Sequence, residues 1–154
     1  MEISTHTFEI TRSSRRLIEK FLDYSPEQLN FIPPGFSNNL IWNIGHIVVV
    51  QQMLVYKLAG LPMMVSDEMV EKYKRGTRPE ADVLPDEIQQ IRELLFSTVD
   101  KTEEDFRRGI FKGYQEFTTQ TGFTLRNSTE AMEFNNYHEA VHTGVMMSIR
   151  KFIK

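Results

Sequence analysis

The chain has 154 residues, 40% of them hydrophobic and 25% charged, which is typical of one globular domain spanning residues 1–154. It contains no cysteine, so disulfides, cysteine-type zinc fingers, iron–sulfur clusters and a cysteine nucleophile are excluded. A formal net charge of -3 gives no electrostatic reason to expect a nucleic-acid partner.

The start of the chain predicts no targeting to a membrane. Residues 1–4 contain no basic patch followed by an apolar stretch, so we find no secretory signal. The longest apolar region, residues 40–50, falls short of the roughly 18 apolar residues that a membrane span needs. We expect a cytoplasmic protein without a membrane partner.

Hydrophobic spacing predicts two long helices in the first third of the chain. The first covers residues 3–23 and ends at proline-containing breaks, because proline cannot continue a helix there. Ser37 or Asn38 is expected to cap the second, residues 39–58, which is apolar nearly all round and should lie deep in the core. The apolar stripe of the first helix is expected to contain Phe8, Ile10, Leu17, Ile18, Phe21 and Leu22.

Residues 61–84 are expected to form a long connection with one short helical turn at residues 67–73. The connection carries a cluster of basic side chains near Gly76. We interpret it as a solvated loop, and the alternative is a lid that attracts an anionic ligand. The basic residues are Lys72, Lys74, Arg75 and Arg78.

Two further helices are expected in the second half of the chain. Pro85 followed by two acidic residues is typical of a helix start and predicts a helix over residues 85–106. Residues 107–126 should be irregular, and the last helix should cover residues 127–152. Four long helices joined by long connections predict an all-α fold, a four-helix bundle with long crossover connections. The stripe of the last helix carries Ala131, Phe134, His138, Val141, Val145 and Ile149.

The last helix contains a histidine pair with metal-ligand spacing. His138 and His142 are four residues apart, so both imidazoles lie on one face and can converge on one ion. The alternative is a pair bonded to backbone or carboxylates, but an apolar stripe has little reason to carry two imidazoles unless something satisfies them. The segment matches H-E-x-x-H, yet Val145 and Ser148 stand where the extended protease pattern needs glycine and histidine. A metalloprotease is therefore a poor fit.

His46 is the candidate third ligand, because it lies in the most apolar helix of the chain. Three neutral imidazoles with open positions form a catalytic type of site, and nitrogen ligands suit zinc, nickel, copper or ferrous iron better than magnesium or calcium. Glu139 could act as a general base, although a solvated carboxylate or one that supports a ligand is the favoured role. Asn43 could orient a ligand or bound water, or serve only helix packing. His6 is interpreted as an ordinary surface histidine.

Two segments resemble the DinB-like family of metal-binding four-helix bundles. They are residues 38–46, with the sequence Asn-Asn-Leu-Ile-Trp-Asn-Ile-Gly-His, and residues 138–144, with the sequence His-Glu-Ala-Val-His-Thr-Gly. The resemblance covers nearly the whole chain and implies a divalent metal, zinc or nickel, on His46, His138 and His142. It also implies a homodimer and either a thiol-dependent transferase or isomerase, which uses an external low-molecular-weight thiol, or a metal-dependent hydrolase.

From these features we expect a metal-dependent enzyme that acts on a small molecule. The absence of cysteine fits a thiol supplied from outside the chain. One alternative is a non-catalytic, metal-binding stress-response module in which the metal stabilises the bundle. Another is a helical interaction protein that keeps its histidines without a metal.

Overall fold

A computed structural model describes residues 3–154 and is predominantly helical. The four longest helices, α1, α3, α5 and α6, form the bundle, while α2 and α4 are short helices within its connections. The all-α four-helix bundle is therefore confirmed. The helices are α1 (Thr5–Glu19), α2 (Pro26–Asn30), α3 (Leu40–Val55), α4 (Asp67–Tyr73), α5 (Pro85–Arg107) and α6 (Ser128–Ile149).

The contacts among the long helices explain why the connections are long. Helix α3 packs against α6 and α5, and α1 packs against the same two helices. Consecutive pairs α1/α3 and α5/α6 therefore stand diagonally opposite each other, so the chain must cross the bundle between them. This arrangement confirms the predicted crossover connections and brings α3 alongside α6.

Side-chain caps and prolines set the helix starts. Asn39, rather than the predicted Ser37 or Asn38, caps α3 by accepting a hydrogen bond from the Trp42 backbone N–H at 2.9 Å. Helix α1 begins at Thr5, two residues later than predicted, and continues as a 3₁₀ turn over Lys20–Asp23. The break expected after it contains α2, because a serine capping box and a proline in the first turn start a helix as readily as they end one.

The remaining elements follow the predicted order. Helix α4 has the predicted bounds, α5 extends one residue beyond them, and α6 ends in a 3₁₀ turn over Arg150–Phe152. The stretch predicted to be irregular contains a small antiparallel hairpin, β1 (Phe117–Thr118) and β2 (Thr124–Leu125). Gly122 lies in its turn with a φ of 86°, a conformation that favours glycine.

The core is centred on α3, as its composition predicts. All of its residues are buried except Val50 and Met53. In α1, however, Ile10 and Leu17 are 56% and 38% exposed, so the apolar stripe predicted for this helix is only partly buried. Among residues 3–154, no helix is both long and apolar enough to cross a membrane.

Candidate metal centre

The packing of α3 against α6 brings three histidines together. His46 comes from α3, and His138 and His142 come from successive turns of α6. One potential ligand atom from each residue lies within 4.8 Å of the other two, so the group could hold a metal ion. The Nε2 atoms of His46 and His138 are 3.2 Å apart.

A backbone carbonyl fixes the tautomer of His46. Its Nδ1 lies 2.6 Å from the Tyr73 carbonyl oxygen, which can only accept, so Nδ1 carries the proton and Nε2 carries a lone pair. The Trp42 indole stacks on the imidazole with ring centroids 4.6 Å apart and an interplanar angle of 15°. Contacts on two sides therefore hold the ring in place. Neither the carbonyl nor the stacking was predicted.

An asparagine on α3 fixes His142 in the same way. Asn43 donates through Nδ2 to the Asn38 side-chain oxygen at 2.8 Å and to the Asn39 carbonyl at 2.7 Å. Its Oδ1 therefore faces His142 and accepts a hydrogen bond from Nδ1 at 2.8 Å. Asn43 thus orients a histidine of the cluster, and the Nε2 atom of His142 is left with a lone pair.

Within residues 3–154, His138 is the member of the cluster with an unsatisfied atom. Its Nδ1 is buried and has no hydrogen-bond partner. With His46 and His142 fixed as Nδ1–H tautomers, at least two of the three imidazoles present Nε2 lone pairs. A divalent cation accepts such lone pairs, so the residues fit a nitrogen-ligated metal.

Burial keeps the imidazoles neutral, which is the form that binds a metal. Desolvation, with smaller contributions from the other two histidines, lowers the pKa of His138 to about 3. Desolvation and the nearby His46 lower the pKa of His142 to about 4. Desolvation also lowers the pKa of His46, although the bond to Tyr73 opposes that shift. At neutral pH the cluster therefore presents uncharged nitrogen donors.

The position of Glu139 differs from all three roles considered for it, namely general base, solvated carboxylate and support for a ligand. Its side chain is fully buried and accepts a hydrogen bond at 2.7 Å from Nη2 of Arg15 on α1, which is also fully buried. Asn135 donates to the same carboxylate oxygen at 2.8 Å. The carboxylate is therefore held in a buried ion pair between α1 and α6, and it does not line the cavity beside the histidines.

A cavity of about 450 Å³ opens beside the three histidines. Its walls come from α3, α6, the α4–α5 connection and the hairpin. A bound cation would thus face a space large enough for a small molecule. Most of the other lining side chains are apolar or aromatic: Trp42, Val50, Met53, Leu54, Phe117, Phe134, Tyr137 and Val141.

His6 lies outside the cluster. It is exposed in the first turn of α1, and its Nδ1 is 2.7 Å from a carboxylate oxygen of Glu9. Its interpretation as a surface histidine is confirmed.

Comparison with known proteins gives a family and a fold. A family profile described as the DinB superfamily matches residues 9–146. The crystal structure of a conserved protein from Enterococcus faecalis is similar, with a TM-score of 0.67 and 13% sequence identity. That match covers 99% of this chain and 98% of the other, and at such low identity it shows the fold alone. No curated protein matches the sequence.

Proposed function

The chain belongs to the DinB superfamily, and from that membership and the histidine cluster we propose that it is a metal-dependent enzyme. His46, His138 and His142 would hold one divalent cation, zinc or nickel. One observation carries the proposal: three side-chain nitrogens converge within 4.8 Å of one another beside a cavity of about 450 Å³. A site with three protein ligands next to such a space is of the catalytic type, because coordination positions remain for a small molecule.

The surroundings favour a thiol over water as the nucleophile. When bound, the cation supplies Lewis acidity, which lowers the pKa of a thiol or of water. A free thiol has a pKa of about 8.5, so a small decrease in pKa is enough to deprotonate it at neutral pH. The pKa of free water is about 15.7, so water needs a much larger decrease. Among residues 3–154, no aspartate or glutamate lines the cavity to accept a proton from water, and Glu139 is paired with Arg15.

We therefore assign thiol-dependent transfer as the reaction, with an external low-molecular-weight thiol as the cosubstrate. The sulfur would form a bond to an electrophilic carbon of the small-molecule substrate, and the leaving group would depart with its electron pair. The thiol proton would pass to the leaving group or to solvent. The chain contributes no sulfur nucleophile, because it has no cysteine.

The protein's own contribution is to orient the ligands. The Tyr73 carbonyl and the Asn43 side-chain oxygen occupy Nδ1 of His46 and His142, which leaves Nε2 of each ring as the ligand atom. Removing such a supporting hydrogen bond typically lowers metal affinity about 10–100-fold. We expect Asn43→Ala to weaken zinc binding by that factor, as measured by competition with a chelating dye. Unchanged affinity would show that Asn43 serves only helix packing.

Metal content measured on protein purified without an affinity tag tests the site. We expect about one zinc or nickel ion per chain in the parent protein, by analogy with single three-histidine sites. His46→Ala and His142→Ala should lose the ion, while His6→Ala should retain it and serves as the matched control. If the first two variants bind metal as well as the parent, the proposed site is wrong.

Activity measurements then test the reaction. The loaded protein is offered a panel of thiols with small electrophiles, and each electrophile is also offered alone. Turnover only with a thiol supports transfer, whereas turnover without one makes the protein a hydrolase. Bound metal without turnover indicates the non-catalytic stress-response module, and absence of metal indicates the helical interaction protein.

The proposal also includes a cytoplasmic homodimer. The dimer is what the resemblance to the DinB-like family implies. Light scattering coupled to size-exclusion chromatography tests the dimer, and a monomer mass at working concentration would contradict it.

A further inference from the structure

The connection between α4 and α5 brings one basic side chain to the cavity beside the histidines. Arg75 lines that cavity, two residues beyond the Tyr73 carbonyl that holds His46. In the part of the chain that the structure describes, no aspartate or glutamate lines the same cavity. The lining of the cavity therefore includes one positively charged residue, the exposed Arg75, and no negatively charged residue.

The other basic residues of the connection are placed differently. Lys72 is paired with Glu87 at 2.7 Å, and Lys74 with Glu71 at 2.6 Å. Arg78 lines a separate cavity together with glutamates. Within residues 3–154, no carboxylate lies within salt-bridge distance of Arg75.

The rest of the cavity wall restricts the ligand in a second way. The side chains of Trp42, Phe117, Phe134 and Tyr137 present aromatic surface to it, and aliphatic residues add to this wall. Apolar walls favour an apolar ligand body, and an arginine favours a carboxylate or phosphate, which its planar donors bind in pairs. The two features are complementary to different parts of one molecule.

We propose that the substrate of this site is a small amphiphilic anion, with its apolar body against the aromatic wall and its carboxylate or phosphate on Arg75. The identification of this ligand as the substrate rests on the proposed function, whereas the binding of such an anion in the cavity does not depend on it. Arg75 would act as a specificity-determining residue. Of the basic residues in the connection, Arg75 would bind the anion, whereas Lys72 and Lys74 are paired with glutamates.

The sole tryptophan of the chain, Trp42, lies in the cavity wall and reports binding through its fluorescence. Four probes with one common body isolate the charge: phenylbutyrate, phenylbutyl phosphate, phenylbutanol and phenylbutylamine. Each is titrated into zinc-loaded protein and into protein stripped with EDTA, because an anion could also bind the metal. The carboxylate and phosphate arms show which anion the site prefers.

In the stripped parent protein we expect the better anion to bind about tenfold more tightly than phenylbutanol, as expected for one charge-assisted hydrogen bond. Arg75→Gln should abolish that preference without changing the affinity for phenylbutanol. Arg78→Gln removes the same charge three positions away and should have no effect. Arg75→Lys should keep part of the preference.

Three results would overturn the inference: phenylbutanol binding as tightly as both anions, Arg75→Gln keeping the full preference, or Arg78→Gln losing as much as Arg75→Gln. Metal analysis of the same samples reports on the proposed function separately. Anion binding through Arg75 in a protein that takes up no zinc or nickel would remove the proposed function and leave the anion site. If the protein binds metal but its anion preference does not depend on Arg75, the anion site is removed and the proposed function is left.

Discussion

Replacing Glu139 by glutamine separates a structural role for this residue from a catalytic one. Glu139 and Arg15 are fully buried, with Nη2 and Oε1 2.7 Å apart. At an effective dielectric constant of about 20, unit charges at the 2.7 Å separation attract each other by about 6 kcal/mol. Glutamine keeps one oxygen acceptor in nearly the same shape, so part of this attraction remains. We expect Glu139→Gln to lower the free energy of unfolding by about 3–5 kcal/mol, because it leaves a buried guanidinium without its counter-charge.

Urea unfolding of the metal-free protein, followed by circular dichroism, measures this loss. Arg15 would still donate to the Leu95 carbonyl and to the Thr98 hydroxyl, and those bonds cannot neutralise its charge. The double variant Arg15→Met/Glu139→Leu is the control. Well-packed apolar replacements of a buried ion pair are often neutral or stabilising, so it should recover part of the loss, less the cost of leaving Asn135 without its acceptor. Folded Glu139→Gln should still bind zinc, because the three histidines remain.

The opposite pattern would refute this reasoning. If the free energy of unfolding of Glu139→Gln lies within about 0.5 kcal/mol of the parent value, as for ordinary surface substitutions, the ion pair is not a main support of the bundle. If that variant also keeps its metal and loses activity, Glu139 is a general base after all.

Two further predictions concern the glycines and the histidines. Gly45→Ala would place a Cβ 2.6 Å from the Tyr73 ring, so we expect a loss of about 1–3 kcal/mol in unfolding free energy and weaker zinc binding. A Cβ added at Gly144 has no atom within 4 Å, so Gly144→Ala should stabilise α6 by about 0.5–1 kcal/mol. Equal effects of the two substitutions on the free energy of unfolding would contradict the close approach of Gly45 to the Tyr73 ring. In the metal-free protein, the folded pKa values of about 3 for His138 and about 4 for His142 lie below the unfolded value of about 6.5. The unfolded chain therefore takes up protons first as the pH falls below about 6.5, and stability should drop by up to about 1.4 kcal/mol per pH unit for each histidine until the folded pKa values are reached. Denaturation measured between about pH 7 and pH 5 checks this, and a His138→Gln/His142→Gln variant with the same slope as the parent would contradict it.

The long helices and the histidine cluster could be predicted because their signals are local or strongly constrained. A helix that is apolar all round must lie at the centre, so His46 had to be buried. Two histidines four residues apart must share a face of α6. Only the packing of α3 against α6 remained to be inferred, and the resemblance supported it. The single domain, the dimer and the cytoplasmic location stay predictions.

The supports of the site were missed because they depend on contacts distant in sequence. Arg15 falls between Thr11 and Ile18 in the buried stripe of α1, so its spacing was a usable signal. Charged residues are usually exposed, however, and spacing cannot identify a partner on another helix. The carbonyl that holds His46 belongs to Tyr73 at the end of α4. Every residue has a backbone carbonyl, so the residue type at this position does not indicate the contact.

The connection that includes α4 is anchored to the bundle by hydrogen bonds. Glu87 on α5 accepts hydrogen bonds from the Lys72 ammonium and the Tyr73 hydroxyl, which ties the end of α4 to the bundle. The same segment supplies the Tyr73 carbonyl to His46, and Thr77 accepts a hydrogen bond from the Trp42 indole at 3.2 Å. Arg75 lies between these two anchors. Because both anchors contact residues of the histidine site, the backbone around Arg75 and the ring of His46 are tied to the same connection.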